Sequence, residues 1–403
     1  MKVLKRQVDR TLRHRRRGSL VPAVAIAIIV VGTCLALVLD SLWLETASLE
    51  LQHGCDAAAL AAANEIVCDE LLTPSASSDA IAARVRQKAA NVAGHNTAAG
   101  KSIIINPTPG TDVALGRVVL PDNGGEPVFL ETDSAPSSVV VLAHCDRRHG
   151  NPVSLFFPHL TGYAAADIVA RSEASVNNRV VGLRPLDNAP APAMPLGILE
   201  IHSDPRRTDT WAIQIDGRQG QDNYKYNYEE NKVESGSDGI PEIVLHSTLP
   251  GNEEEEEKRG NVQLVDVGTR LNTQELVRQI KQGWRWQDLQ KYGSEFRLDK
   301  GPISLPSLEH IEGASVDALG DMLGKTRIVV LYRSTGRGLE SGRTHAVVQR
   351  LVAIRVLHVR KNNSSLEMTV QPTVMATRTA LADDMTGSAL LANPYIYRLS
   401  LTY

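Results

Sequence analysis

A run of 21 residues without a charge, Ser19–Leu39, constrains this chain more than any other feature of its sequence. As an α-helix that rises about 1.5 Å per residue, it would span about 30 Å, which is the thickness of the hydrocarbon core of a bilayer. No other segment is both long and apolar enough to do so. The sequence therefore predicts one transmembrane helix over residues 19–39.

A basic segment, residues 1–18, precedes this helix. It holds eight Lys or Arg and one Asp, a net charge of +7, so the remaining chain carries −10 to give the total of −3. The arginines nearest the helix are Arg13, Arg15, Arg16 and Arg17. Because positive flanks stay in the cytoplasm, we expect a single-pass protein of the cytoplasmic (inner) membrane, with a cytoplasmic N-terminus and its bulk in the periplasm.

The charge distribution also argues against nucleic acid as a partner. The large portion of the chain is acidic, whereas nucleic-acid-binding domains carry basic patches. Aromatic residues make up only 4% of the chain, and none interleaves with the basic cluster to form a stacking platform. The basic cluster is therefore interpreted as a topology signal.

Two other readings of the apolar segment stay open, although a retained anchor is favoured. A cleaved secretory signal usually has a shorter apolar region that ends at a small-residue site, and no clear A-x-A site follows Leu39. The sequence Val31-Gly32-Thr33-Cys34 loosely resembles a lipoprotein processing site. However, Thr is a poor residue before the cysteine, and apolar sequence continues beyond it.

Strong helix formers follow Asp40, so residues 40–94 are predicted to form an Ala-rich helical hairpin. The first helix should continue to about Leu72. Ser78 can cap the second, which is predicted over Asp79–Ala93. The transmembrane helix would then continue directly into a helical stalk.

The rest of the chain changes to β-rich sequence from Ile103. The predicted fold class is α+β, with mixed extracytoplasmic units after the stalk. We expect a first α+β unit over 103–201, a polar loop-rich insertion over 202–260 and a second α+β unit over 261–403. The insertion is placed by its polar composition and by the acidic run Glu253–Glu257, which is typical of a solvated loop.

The order of basic cluster, apolar span, Asp40 and the stretch Gln52–Ala63 resembles the N-terminal region of TadG-like and TadE-like Flp pilus-assembly proteins. That family typically ends its span at Asp and then carries A-D-A-A-A-L-A-A-A. This chain keeps the signature except for Cys55, and the matching residues are Asp56, Ala57, Ala58, Ala59, Leu60, Ala61, Ala62 and Ala63. The signature covers about residues 15–65.

The resemblance implies a membrane-anchored, non-catalytic component of a tight-adherence (Flp) pilus or a related secretion system, with no cofactor. Its partners would be other pilus-assembly or secretion proteins and membrane lipid, and a homo-oligomer stays open. The alanine motif would pack against a partner helix, because small side chains allow close approach. Two departures limit the resemblance. The Asp-x-Ser-x-Ser metal motif of some relatives is missing, and Ala23 replaces the Glu that prepilins carry five residues after the processing Gly.

Signatures of catalysis are weak. The chain has no G-x-S-x-G, H-E-x-x-H or P-loop motif. A membrane-tethered or secreted hydrolase with scattered residues, and an adhesion protein released after signal cleavage, stay as alternatives.

Other chemistry stays open too. The segments His53–Asp56 and His144–Asp146 place thiols beside imidazoles without metal-ligand spacing. Cys145 can pair with Cys55 or Cys68 in an oxidising compartment. The loops Asp222–Asn231 and Ser235–Glu242 offer oxygen atoms for calcium but lack the EF-hand pattern.

Overall fold

The computed structural model describes residues 20–119, 128–247, 260–268, 270, 272–308, 311, 313–337, 344–362, 365–383 and 392–402. The predicted basic segment with Arg13, Arg15, Arg16 and Arg17 therefore lies outside the described residues, as do Ser19 and the acidic run Glu253–Glu257.

A single long helix, α1, begins the described chain and covers Leu20–Ile66, 47 residues in all. At about 1.5 Å per residue it is about 70 Å long. Within the described residues it is the one helix long and apolar enough to cross a membrane. Its most apolar stretch of 18 residues has a mean hydropathy of 2.7, and only 6% of that stretch is buried. The predicted α+β architecture, an N-terminal apolar helix followed by a body of sheets and helices, is confirmed.

The end of α1 differs from the prediction. The helix ends at Ile66 rather than near Leu72, because Cys68 adopts an extended backbone with φ −129° and ψ 154°. A short 3₁₀-helix, Asp69–Leu72, follows. The second helix, α2, covers Ser78–Gly94 and is capped by Ser77 instead of Ser78, since the Ser77 hydroxyl accepts a hydrogen bond from the Ala80 N–H.

The chain then forms mostly short strands up to residue 183. They are β1 Thr97–Ala98, β2 Lys101–Ser102, β3 Val113–Val119, β4 Val128–Glu131, β5 Ser138–Cys145, β6 Val153–Ser154, helix α3 Pro158–Thr161, β7 Ala165–Ala166, β8 Ile168–Asn177 and β9 Val180–Leu183.

Longer strands dominate the remainder. The elements are β10 Ala193–Leu199, a π-helix Ala212–Asp216, β11 Tyr224–Asn227, β12 Lys232–Ser235, β13 Ile243–His246, β14 Val262–Val265, α4 Thr273–Gln282, a 3₁₀-helix Gln290–Tyr292, β15 Phe296–Arg297, β16 Ile303–Leu308, α5 Ala314–Gly320, β17 Thr326–Arg337, β18 Thr344–Asn362, β19 Ser365–Pro372, β20 Met375–Ala376, β21 Ala380–Ala382 and β22 Ile396–Thr402.

A six-stranded sheet in the order β20-β22-β8-β5-β3-β4 carries the two long helices on one face. The side chains of strand β8 alternate between a buried and a more exposed face. The residues on the buried face are small or β-branched, namely Ala170, Ser172, Ala174 and Val176. Gly54 of α1 lies so close to Ile103 that a Cβ there would meet the Ile103 Cδ1 at 2.2 Å. Small residues on both surfaces thus let the helix lie close to the sheet.

A second sheet has seven strands in the order β13-β19-β18-β16-β14-β10-β17, and β17 also pairs with β18. The pairings among β10, β14, β16, β18 and β17 therefore form a closed circuit, as in a small barrel. The long strand β18 makes this closure possible, because its first part pairs with β16 on one edge and β17 on the other, and its last part pairs with β19.

The buried apolar residues form two clusters, one for each sheet. The first joins α1 and α2 to the six-stranded sheet, and the second fills the seven-stranded sheet and its helices. The last strand, β22, returns to pair with β8 of the first sheet, although its sequence lies in the predicted second unit. The hairpin β11–β12 and the strand β13 lie inside the stretch 202–260 that was predicted to be rich in loops.

The close packing of α1 gives the first prediction. Replacing the fully buried Ala59 by Leu adds three carbon atoms to a filled contact, so Ala59→Leu should lower the free energy of unfolding by about 1–3 kcal/mol. Ala83→Leu, on the exposed face of α2, should change it by less than about 0.5 kcal/mol. Denaturant unfolding of the full chain in detergent, followed by circular dichroism, measures both. Equal stabilities would contradict the packing described here.

Candidate functional site

The apolar part of α1 ends at Asp40. The carboxylate of this residue binds the loop between β6 and α3. Asp40 is only 3% exposed, and its Oδ1 accepts a hydrogen bond from the Phe156 N–H at 2.8 Å. One turn further on, the Trp43 indole N–H donates to the Ser154 carbonyl at 3.1 Å, and the Trp43 ring lies 5.3 Å from the Phe156 ring. The loop between β6 and α3 is thereby held against α1 at the point where the apolar segment stops.

The environment of α1 changes at this same point. Most large apolar side chains from Leu20 to Leu39 are exposed, Leu39 itself by 42%, whereas from Ala47 onward one face of the helix is buried. The fastened loop adds three further exposed apolar side chains, namely Phe156, Leu160 and Tyr163 at 61%, 51% and 68% exposure. An exposed apolar surface therefore extends from the helix onto the loop beside it.

The alanine motif lies within the chain's own core. Ala58, Ala59, Ala62 and Ala63 are completely buried, and the intervening members of the motif, Asp56, Ala57, Leu60 and Ala61, are half-buried. These residues belong to the cluster that joins α1 to α2 and the six-stranded sheet. Packing against a partner helix stays a prediction, and the fully buried alanines are already covered by this chain.

The thiol that replaces the first alanine of the motif is also buried. The Cys55 thiol donates to the Val141 carbonyl at 3.3 Å. Burial, and then the negative charge of Asp56, raise the pKa of Cys55 to about 12, so the thiol stays protonated and poorly nucleophilic. Among the described residues Cys34, Cys55, Cys68 and Cys145 are all free.

A buried ion pair joins the 3₁₀-helix that follows α1 to the second sheet. Asp69, directly after α1, accepts hydrogen bonds from the Arg355 guanidinium at 3.0 Å, the Thr373 hydroxyl at 2.7 Å and the Val374 N–H at 2.7 Å. The Tyr228 hydroxyl donates to the same carboxylate. Both charged side chains are about nine-tenths buried. The carboxylate exchanges water for several protein donors, whereas the Nε atom of Arg355 is buried without a hydrogen-bond partner among the described residues. We call these five residues the Asp69 cluster.

Aromatic rings and a cavity surround the Asp69 cluster. The Arg355 guanidinium lies 3.8 Å from the centre of the Tyr226 ring, a cation–π contact. Burial and the neighbouring Asp69 raise the pKa of Tyr228, so its hydroxyl remains a donor. A cavity of about 750 Å³ opens beside the cluster, between α1, α2, the β11–β12 hairpin and the second sheet. Its polar lining includes Glu65, Glu70 and Arg84, and Arg84 pairs with both acids.

A second ionic network crosses the closed circuit of strands. Glu200, which is 2% exposed, binds Arg333 at 2.8 Å and Arg350 at 3.0 Å. Arg350 also contacts Asp216 at 3.2 Å, and the Tyr395 hydroxyl donates to that carboxylate at 3.1 Å. The network ties the π-helix to β17 and β18.

In the loops that were considered as calcium ligands, the carboxylate oxygens accept hydrogen bonds from the backbone of the same loops. Both carboxylate oxygens of Asp222 accept backbone N–H groups, those of Asp238 and Gly239. Glu242 likewise accepts from the N–H groups of Asn223 and Tyr224. The arrangement closes the loop around the β11–β12 hairpin.

Sequence reasoning missed the Asp69 cluster, although one of its members carried a signal. Arg355 interrupts the apolar run Leu351–Leu357, and a lone charge in a buried strand requires a partner. Asp69 offers no comparable signal, since it lies in a polar turn 286 residues away from Arg355 in sequence.

Comparison with known proteins bears on the first part of the chain. Residues 18–65 match the family described as putative Flp pilus-assembly TadE/G-like. This segment is therefore similar to TadE/G-like proteins. The match covers the apolar part of α1, Asp40 and the alanine motif, so the resemblance predicted from those residues is confirmed and supports a role in pilus assembly. No curated protein and no solved structure matches the chain.

The Asp69 cluster gives the second prediction. Asp69→Ala leaves Arg355 buried without its counter-charge, so the free energy of unfolding should fall by about 3–5 kcal/mol. Glu70→Ala removes the neighbouring carboxylate, which forms an exposed pair with Arg84, and should cost at most about 1 kcal/mol. Denaturant unfolding of both variants tests this, and an Asp69→Ala/Arg355→Met double variant should recover part of the loss. Equal losses for the two single variants would contradict a buried pair.

Proposed function

We propose that this chain is a single-pass, non-catalytic assembly component of a Flp pilus or a related secretion system, anchored in the cytoplasmic membrane by residues 19–39. The TadE/G-like match over residues 18–65 carries this proposal. It is supported by the exposure of the apolar residues of α1 before Asp40 and by the burial of one helix face beyond it. Its partners are other assembly proteins and membrane lipid.

The proposed topology follows from charge. The basic residues of segment 1–18 remain in the cytoplasm, and the acidic remainder lies outside the membrane, in the periplasm. In this arrangement α1 continues from the bilayer into the body without a break, so the anchor and the body are joined by one continuous helix. Residues 40–94 act as the stalk, and 103–201 with 261–403 form the periplasmic body that carries the polar insertion 202–260.

The apolar loop beside Asp40 fits the membrane surface. Tyr and Trp favour the headgroup region, where one end of the side chain is apolar and the other is hydrated. Trp43 and Phe156 lie together just beyond the proposed span, and Leu160 and Tyr163 of the same loop add exposed side chains. We propose that this loop rests in the interface and fixes the depth of the anchor.

The alanine motif in this proposal acts inside the chain. Its completely buried members allow α1, α2 and the six-stranded sheet to approach closely, which stiffens the stalk. Beside the cavity, Asp69 and Arg355 bind one another and their neighbours, which gives them a structural role in this proposal. These groups hold the stalk against the second sheet.

Isolation from native membranes with crosslinked neighbours tests the proposed function. We expect an intact N-terminus and pilus-assembly proteins among the crosslinked partners. A deletion of the chain should abolish piliation, and the wild-type gene should restore it. A mature chain that begins near residue 40 and carries no such partners would refute the anchored assembly role and favour a secreted adhesion protein or enzyme.

The interfacial loop gives a separate prediction. In vesicles whose lipids carry bromine near the headgroup, the fluorescence of Trp43 should be quenched, because its ring lies at the proposed interface. Trp211 and Trp284 are completely buried in the body and should be spared. The variant Trp43→Phe identifies the signal, since it should remove most of the quenching. Quenching that is absent, or that is the same in the variant, would contradict this depth of insertion.

A further inference from the structure

Two histidines and an aspartate meet at the turn that follows β5. His144 is the next-to-last residue of that strand, Asp146 comes directly after the strand, and His149 lies in the turn. Each offers one ligand atom, and the three atoms lie within 4.8 Å of one another. The sequence indicated only its first part, since the segment His144–Asp146 by itself lacks metal-ligand spacing. The Cys145 side chain is buried, 1% exposed, and the third member of the group is His149.

The separations are close to those of ligands that share one small cation. The Nδ1 atom of His144 lies 3.6 Å from Asp146 Oδ2. The Nδ1 atom of His149 is hydrogen-bonded to Asp146 Oδ1 at 2.8 Å, a contact that a bound cation would replace. Zinc holds nitrogen and oxygen ligands at about 2.0–2.2 Å in a tetrahedron, which places neighbouring donor atoms about 3.4 Å apart. The two imidazole rings are stacked, with their centres 4.9 Å apart, so both rings approach the carboxylate from the same side.

One ligand atom lacks a hydrogen bond. The Nδ1 atom of His144 is buried and accepts or donates no hydrogen bond within the described part of the chain. Buried nitrogen atoms are usually satisfied, so this one points to a missing partner. The carboxylate is also held in position, because its Oδ1 atom accepts a hydrogen bond from the His149 backbone N–H at 2.8 Å.

Neighbouring side chains hold the ligands in place. Asp112 lies 3.9 Å from the far nitrogen of His144, Nε2, where a carboxylate commonly orients a metal-binding histidine. The Asn151 amide donates to the His144 carbonyl at 3.0 Å and accepts from the Asp146 N–H at 3.1 Å. The turn is therefore built before any cation arrives, which lowers the entropic cost of binding.

We propose that His144, Asp146 and His149 bind a divalent transition-metal ion, with zinc as the representative. Two imidazoles and one carboxylate form a donor set that suits zinc and its neighbours better than calcium or magnesium, which prefer oxygen atoms. Three protein ligands leave a fourth position for water or for a donor from another molecule.

The position of the site indicates its effect. The same turn continues through Asn151 to Ser154 and Phe156, which contact Trp43 and Asp40 at the end of the apolar helix segment. A bound ion would tie the end of β5 to this turn and reduce the freedom of the loop beyond it. The site stands on the geometry of the turn alone and does not depend on the membrane role of the loop.

Zinc titration of the full chain tests the proposal. The protein, purified in detergent without a polyhistidine tag, is titrated by calorimetry, and Co²⁺ absorption reports the coordination. We expect one ion per chain and Co²⁺ bands typical of four or five ligands. His149→Ala and Asp146→Asn should each weaken binding at least about tenfold, by comparison with the 10–100-fold effects of outer ligand partners.

His159→Ala is the matched control, because His159 is an exposed histidine of α3 outside the group. It should bind zinc as the wild type does. Circular dichroism of the metal-free variants should match that of the wild type, so that weakened binding reports the loss of a ligand and not of the fold. Absence of binding in the wild type, or equal affinity in the wild type and His149→Ala, would overturn the proposal.

Discussion

The close contact between α1 and the six-stranded sheet is the constraint on which the rest of the structure depends. Alanines on the helix face small residues on β8, and Gly54 leaves room for Ile103. The helix can lie against the sheet only while these side chains stay small. Because α1 also forms the apolar segment, this contact fixes the direction in which the body leaves the proposed membrane anchor. The TadE/G-like signature is therefore first a packing signature within the chain.

Two carboxylates then fix the part of α1 that follows the apolar segment. Asp40 holds the loop at Phe156 where the apolar segment stops, and Asp69 binds Arg355 of β18 just after α1 has ended. Both are buried. Asp69 compensates its lost hydration with several protein donors, whereas Asp40 receives a donor at Oδ1 and its Oδ2 atom has none among the described residues.

Local sequence predicted the local features well. The uncharged run predicted the apolar helix, since helix formation depends on neighbouring residues. The alanine motif was predicted to pack against a partner helix, and this stays a prediction. Its fully buried members contact α2 and the six-stranded sheet of the same chain. Contacts between distant residues were not predictable, because Asp40 and Phe156 are 116 residues apart, and the sequence carries no local trace of their meeting. The pairing of β22 with β8 of the first sheet was not predictable for the same reason, because the two strands are far apart in sequence. The end of α1 was missed because Cys68 leaves the helix in favour of the Asp69 contacts, a tertiary effect that outweighs helix propensity.

The loop from β5 to β8 illustrates how several weak features combine. Its turn holds His144, Asp146 and His149, its middle contacts Asp40 and Trp43, and its exposed apolar side chains continue the surface of the helix. An isolated loop would have little reason to keep exposed apolar residues beside a cluster of imidazoles. Next to the end of the apolar segment of α1, the same residues extend its exposed apolar surface onto the loop. A cation bound in the turn and lipid bound at the tip would then stabilise the same loop from its two ends.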